Sequence, residues 1–560
     1  MKRIKSWWLP ILPIILIIYP LWNLVAVSLG VSTVQQEISL AAYGQLLQDP
    51  QLPTVIQNTL YIAVVSTLAS LFMGVVAAIL TEKTDIPGRQ GWRLVFILPV
   101  LLPSYVISIA WQHWAGPVGL VNDWLQNLFA LTMWDLAGIN EIVIVMAISH
   151  MPIAYLLVRS ALTAIPAHLE DAARIAGARP FKVFTSVVLP LTAPALANAA
   201  LLCFASALDN FGIPAFIGIP SGVTVLSTLI YQKVVGLGGG QFEQAAALAV
   251  VTGLLSMIPV YFQGKIFHGP KYSREEGSRE KRIYPMGIWK WLLVLFVSIW
   301  QGITIVGPCL AMLLLSLAPA YGVSLTLSNL TFAHYISLWT DTPVVAAGLK
   351  NSLLLALIST AAVLLLAWPL ARRIVLAPSR LVTFLDGIAA IPYCLPGMVV
   401  GLAVLLTWIH PIPGTSFSLY GGMVILLLAY IPRFYTFGIR TWTTAWARFS
   451  LALEEAGHVA GAGPMTVTRR ITLPIFREEA FGGGALIFLL AFTELTLSSL
   501  LAGSQFPTLG VIVFSMEAAG RALESAALGT LLTLLTLGLS AGVCKYLLDE
   551  KNSEEKEKKA

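Results

Sequence analysis

Hydrophobic and polar positions do not alternate along this chain; they are sorted into long blocks. A helix needs about 20 mostly apolar residues to cross a bilayer. Such runs occur at 7–29, 55–80, 94–115, 141–163, 191–213, 244–267, 289–316, 351–371, 382–409, 419–440, 482–502 and 525–548. Strands of a membrane barrel would instead show short alternating segments. The pattern predicts an all-α polytopic membrane protein with about 12 transmembrane helices.

Composition points the same way. Hydrophobic residues make up 57% of the 560 residues and charged residues 11%, against about 25% charged in soluble domains. A disordered chain is excluded by the same apolar content. The net charge of +6 signals cytoplasmic loops, not nucleic acid, once its distribution is considered. Lys2, Arg3 and Lys5 precede the first run, and Lys83, Arg89 and Arg93 follow the second. Arg174, Arg179 and Lys182, then Lys271, Arg274, Arg279, Lys281 and Arg282, then Arg372, Arg373 and Arg380, then Arg448, Arg469, Arg470 and Arg477 fall on that same side. The other side holds Lys233, Lys350 and Arg521. Both termini are therefore expected in the cytoplasm. The first run has a basic flank but no convincing small-x-small cleavage site, so it reads as an uncleaved helix. Cys203, Cys309, Cys394 and Cys544 are far apart in apolar settings, and the histidines are scattered. No metal cage is expected.

The chain repeats itself. Pro99 and Pro103 correspond to Pro392 and Pro396 by one offset, and Asn58-Thr59-Leu60 corresponds to Asn351-Ser352-Leu353 by the same offset. Six runs in each half give a parallel duplication, with a path between the halves as the natural place for a substrate. The expected divisions are a first helix and outer loop at 1–52, a first domain at 53–267, a linker at 268–288, a seventh helix and outer loop at 289–345, a second domain at 346–548 and a charged tail at 549–560.

Each half carries one distinctive cytoplasmic loop. The first has Glu170, Asp171, Ala172, Ala173 and Gly177, then nine residues, then Val187-Val188-Leu189-Pro190. The second has Glu454, Glu455, Ala456 and Gly461, then nine residues, then Ile471-Thr472-Leu473-Pro474. Acids suit the start of a short helix, alanines give it a narrow face, glycine permits a sharp turn after it, and proline suits the entry of the next span. These loops resemble the EAA loop of permease subunits of binding-protein-dependent ABC importers. The resemblance extends over both halves and is to the fused, duplicated iron(III), thiamine, polyamine and phosphonate permeases, most to the iron(III) branch. One departure is Gly457 in place of the motif's second alanine. Glycine weakens a helix by roughly 1 kcal/mol, so the second loop is expected to be ordered by its partner.

The resemblance implies two tandem six-helix type I ABC importer permease (MetI-like) domains in a bacterial inner membrane. It implies that these short helices dock on two copies of a cytoplasmic ABC ATPase subunit, which bind ATP and Mg, and that an extracytoplasmic binding protein delivers substrate. No GxxxxGK[ST] phosphate loop occurs in the sequence, so the chain is expected to bind no cofactor and to hydrolyse no ATP itself. A secondary transporter driven by an ion gradient would also fit a parallel repeat, but leaves the matched loops unexplained.

Charges at membrane depth are costly and mark functional candidates. Asp209 and Glu494 lie late in the fifth and eleventh runs, at places that look equivalent. They either line a cation path or accept hydrogen bonds from neighbouring helices. Arg433, after Pro432, either snorkels to the cytoplasm or pairs with an acid.

Overall fold

The computed structural model describes residues 14–31, 38–117, 119–129, 138–236, 241–266, 283–320, 323, 328–340, 343–410 and 418–559. Most of the linker expected at 268–288, and the start of the first apolar run, therefore lie outside the described residues.

The described chain is a set of helices in two matching series. The first comprises α1 (Tyr19–Ser28), α2 (Ala41–Gln48), α3 (Leu52–Lys83), α4 (Ser104–Ala115), α5 (Ile139–Ala164), α6 (Ala167–Ile175), α7 (Leu189–Asp209), α8 (Leu226–Val235) and α9 (Phe242–Ile266). The second comprises α10 (Gly307–Ser316), α11 (Ala333–Thr340), α12 (Pro343–Leu376), α13 (Arg380–Cys394), α14 (Gly397–Trp408), α15 (Met423–Arg448), α16 (Leu451–Val459), α17 (Arg477–Phe492), α18 (Leu509–Ala518) and α19 (Ala522–Lys559).

Among the described residues eight helices are long and apolar enough to cross a membrane, or ten if each of two bent pairs counts as one span. Of the 12 apolar runs, the first and the eleventh fall outside that count, and the third and the ninth are the bent pairs. The first run survives as the shorter apolar helix Ile15–Ser28. The eleventh is interrupted, because α17 has 16 residues and stops before Thr493. The third and ninth are bent by 101° and 103°, at the junctions before Ser104 and Gly397. Pro103 and Pro396 cause these bends. Each lacks an N–H and pushes the preceding residue, Leu102 or Leu395, into extended backbone.

Within each half the second span, α3 or α12, packs on the span that leads into the short helix, α5 or α15. A Cβ on Gly74 would lie 2.6 Å from the Ala154 Cβ, and one on Gly438 would lie 3.0 Å from the Ala367 Cβ. The repeat makes Gly74 equivalent to Ala367 and Ala154 equivalent to Gly438. The same crossing is thus built with the glycine on opposite helices, because either arrangement lets two backbones approach closely.

Asn58 and Asn351 each donate across to a carbonyl, of Thr224 (3.2 Å) and Pro507 (3.0 Å). The adjoining Thr59 and Ser352 hydroxyls accept the first N–H of α8 and α18, at 2.9 Å each. The halves exchange their first helices. α1 packs on α14 of the second half, and α10 packs on α4 of the first. Asn23 donates to Thr407 (3.3 Å), and the Trp111 indole donates to the Thr304 carbonyl (3.2 Å).

Candidate functional site

The short helices α6 and α16 are held by their first acids. Glu170 is buried, pairs with Lys83 at the end of α3, and accepts a bond from the Tyr284 hydroxyl at 2.7 Å. Glu454 is buried, pairs with Arg372 near the end of α12 at 2.6 Å, and accepts from the Thr472 hydroxyl at 3.1 Å. A buried carboxylate is tolerable only when paired and hydrogen-bonded. These two residues therefore anchor their helices inward and are not presented to solvent. Asp171 and Ala173 are half-buried, whereas Glu455, Ala172 and Ala456 are exposed.

The outward surface is formed by side chains that sequence reasoning missed. Ile175 is 88% exposed and its counterpart Val459 90%, while Phe181 and Met465 are each 79% exposed. A large aliphatic or aromatic group at the same exposed place in both halves is the signal that the repeat alignment could have supplied.

Gly177 and Gly461 end the helices with φ of +88° and +83°. The N–H of Ala178 reaches the Ala173 carbonyl and that of Ala462 reaches the Gly457 carbonyl, both at 3.0 Å. This is the Schellman closure that needs a left-handed residue. Gly457 does not leave α16 unformed. A Cβ there would meet Ile471 Cδ1 at 2.8 Å and Val467 Cγ2 at 3.1 Å. The first half has the smaller Val187 at the position of Ile471, and there the helix carries Ala173.

Pro190 and Pro474 stand in the first turn of the α-helical segments Leu189–Asp209 and Leu473–Ile475, each continuous with the helix before it. In the first half one helix runs from Pro180 to Asp209. A π-helical turn precedes each proline, at Phe184–Val188 and Thr468–Thr472. Wider turns of this kind interrupt the i→i−4 ladder that proline cannot join.

Asp209 and Glu494 take different partners in the structure. The Asp209 carboxylate pairs with Arg433 at 2.5 Å and accepts the N–H of Gly397, at the start of α14, at 2.6 Å. Arg433 donates to the carbonyls of Pro392 and Leu395 at 2.7 Å each. It therefore joins the halves rather than snorkelling to the cytoplasm. Glu494 instead caps the short helix Thr496–Leu501, accepting the Leu497 N–H with both oxygens at 3.0 Å. Asn210 does the same in the first half, accepting the Ile213 N–H at 3.0 Å. The offset that relates Glu170 to Glu454 also carries Asn210, not Asp209, onto Glu494, so the expected equivalence is corrected. Arg433 and Asp209 are nevertheless charged neighbours of Glu494. Close by in sequence to Asp209, Phe211 meets Phe514 of the second half at a ring separation of 6.1 Å. Phe216 and Tyr231 also contact Phe514, at 5.4 and 5.8 Å.

Residues 70–269 match the family described as binding-protein-dependent transport system inner membrane component. The chain is similar to an Fe(3+)-transport system permease protein of Haemophilus influenzae, 24% identical over 85% of this chain and 87% of that protein. It is also similar to a permease named for 2-aminoethylphosphonate transport in Salmonella typhimurium, 28% identical over 40% of this chain and 77% of that one. A molybdenum transport system permease protein of Escherichia coli is 28% identical over 42% of this chain and 100% of its own length. That permease is thus matched whole by less than half of this chain, and the 560-residue length is consistent with a duplicated permease.

Proposed function

We propose that this chain, which belongs to the binding-protein-dependent ABC importer permeases, carries iron(III) and supplies both ATPase docking sites of its importer from one polypeptide. The observation that carries the docking assignment is the doubled helix α6/α16. In both copies an inward-anchored acid, a left-handed glycine and an exposed aliphatic residue stand in one register. The inward acid fixes each helix to the end of a long span, so force on the helix is transmitted to that span. One ATPase subunit would seat at each helix, on the cytoplasmic side where Lys and Arg are concentrated. ATP and Mg belong to those subunits, and a binding protein delivers the cargo from the other face.

Iron(III) rests on the full-length likeness to a ferric permease. The phosphonate and molybdenum relatives match over one half. Between the halves, Asp209 is tied to Arg433 and Gly397. We read it as a contact of the translocation path that must break and re-form as the halves rock apart. Glu494 adds a negative charge where Asn210 caps without one, which supports a cationic cargo.

The test uses Ile175→Asp combined with Val459→Asp. A carboxylate at each exposed tip should abolish co-purification of the ATPase while leaving the permease in the membrane. Retention of the ATPase would overturn the docking assignment. In the same cells, cysteines placed at Arg179 or Arg470 should resist an impermeant reagent added from outside. Uptake of radioactive iron(III), competed against phosphonate and molybdate, decides the cargo.

A further inference from the structure

The pockets that hold Glu170 and Glu454 pair them with a lysine and an arginine respectively, and they draw their hydroxyl donor from different places. In the second half the Thr472 hydroxyl, at the end of the π-helical turn, donates to Glu454 at 3.1 Å. The equivalent residue of the first half is Val188, which is buried and has a methyl in place of that hydroxyl. The missing donor arrives from elsewhere in sequence. Tyr284, where the chain emerges from the segment joining the halves, donates its hydroxyl to Glu170 at 2.7 Å.

Tyr284 is itself fixed in place. Its N–H donates to the Lys83 carbonyl at 2.8 Å, and the Met286 N–H donates to the Asp85 carboxylate at 2.8 Å. Lys83 thus receives this segment on its backbone while its side chain pairs with Glu170.

We propose that Tyr284 is a positioning residue for α6, so that the stretch at residues 284–286, where the second half begins, forms part of the coupling apparatus at the first docking site. The second site carries the same donor within its own half. The two ATPase sites are therefore not equivalent. Displacing residues 284–286 strips one of two partners from the buried Glu170 and leaves Glu454 untouched. A lone partner for a buried carboxylate is a poor anchor. This inference rests on α6 being a docking helix.

Rescue provides the test. Tyr284→Phe removes one hydroxyl from the complete transporter with its ATPase and binding protein. The ATPase should still co-purify, while iron(III) transported per ATP hydrolysed falls roughly three- to tenfold. Adding Val188→Thr, which rebuilds the donor of the second half, should restore the ratio. Thr472→Val should cause a comparable loss with Tyr284 intact. A cargo-independent readout is the mobility of a spin label on Ile175→Cys in the full chain. It should rise with Tyr284→Phe and fall again with Val188→Thr. Wild-type behaviour of Tyr284→Phe, or a loss that Val188→Thr does not repair, would overturn the proposal. The docking assignment fails separately, through an ATPase that stays bound to the Ile175→Asp, Val459→Asp chain.

Discussion

Acids drawn into the interior face one problem, because a carboxylate removed from water needs a compensating donor or cation for its oxygens. Glu82 is shared by Arg93 at 2.8 Å and Arg159 at 2.9 Å. Asp209 has a guanidinium and a helix N-terminus. Glu494 has only N–H and hydroxyl donors. This difference separates two neutral substitutions. Glu494→Gln keeps an oxygen on the cap, the arrangement Asn210 already uses, and should leave thermal stability in detergent nearly unchanged. Asp209→Asn leaves Arg433 half-satisfied and should lower stability by about 1–3 kcal/mol. Iron uptake should fall in both if Glu494's charge serves the cargo, and in Asp209→Asn alone if it does not. Equal stability of the two variants would show that the Asp209–Arg433 pair adds nothing to the joint between halves.

Among the helices, proline and glycine act through geometry that the rest of the element must absorb. Pro20 and Pro308 follow π-helical turns at Ile14–Ile18 and Gly302–Val306, as Pro190 and Pro474 follow theirs. The chain therefore keeps helices running through prolines by widening the turn before them. Gly457 shows the opposite economy, giving up helix propensity to make room for Ile471. Gly457→Ala gains about 1 kcal/mol of propensity but pushes on Ile471, an overpacking cost of similar size. The single variant should be close to neutral. Gly457→Ala with Ile471→Val recreates the Ala173–Val187 combination and should raise the stability of the second loop by about 1 kcal/mol. Protection of α16 amides from hydrogen exchange measures this, and a double variant no better protected than the single would contradict it.

For the molecule as a whole, the exchanged first helices matter more than the joining segment. α1 buries itself on α14, and α10 on α4, so each half completes the other. Cutting the chain between residues 275 and 276 should thus leave two polypeptides that assemble when co-expressed, with Tyr284 retained on the second. Their co-purification and iron uptake check this. Halves that purify separately would mean that the joining segment, and not the helix exchange, holds the permease together.

The features legible in the sequence were those that depend on neighbours along the chain. Apolar runs marked most of the helices, because lipid leaves no other way to satisfy the backbone. Gly177 and Gly461 were legible as helix stops because a left-handed closure tolerates little else. The repeat was legible because both halves keep the same residue types at one spacing. What the sequence could not reveal were contacts between distant residues. Tyr284 meets Glu170 across 114 positions, and Arg433 meets Asp209 across 224. Neither pairing has a local signature, since any basic or hydroxyl side chain would suit a buried acid until packing selects one. The sharp bends before Ser104 and Gly397 were likewise hidden, because apolarity alone does not distinguish a straight span from a broken one. The sequence determined which segments enter the membrane and which loops carry the short helices α6 and α16. Tertiary structure decided which acids anchor, which one joins the halves, and that the acid anchoring α6 borrows its second partner from the far side of the linker.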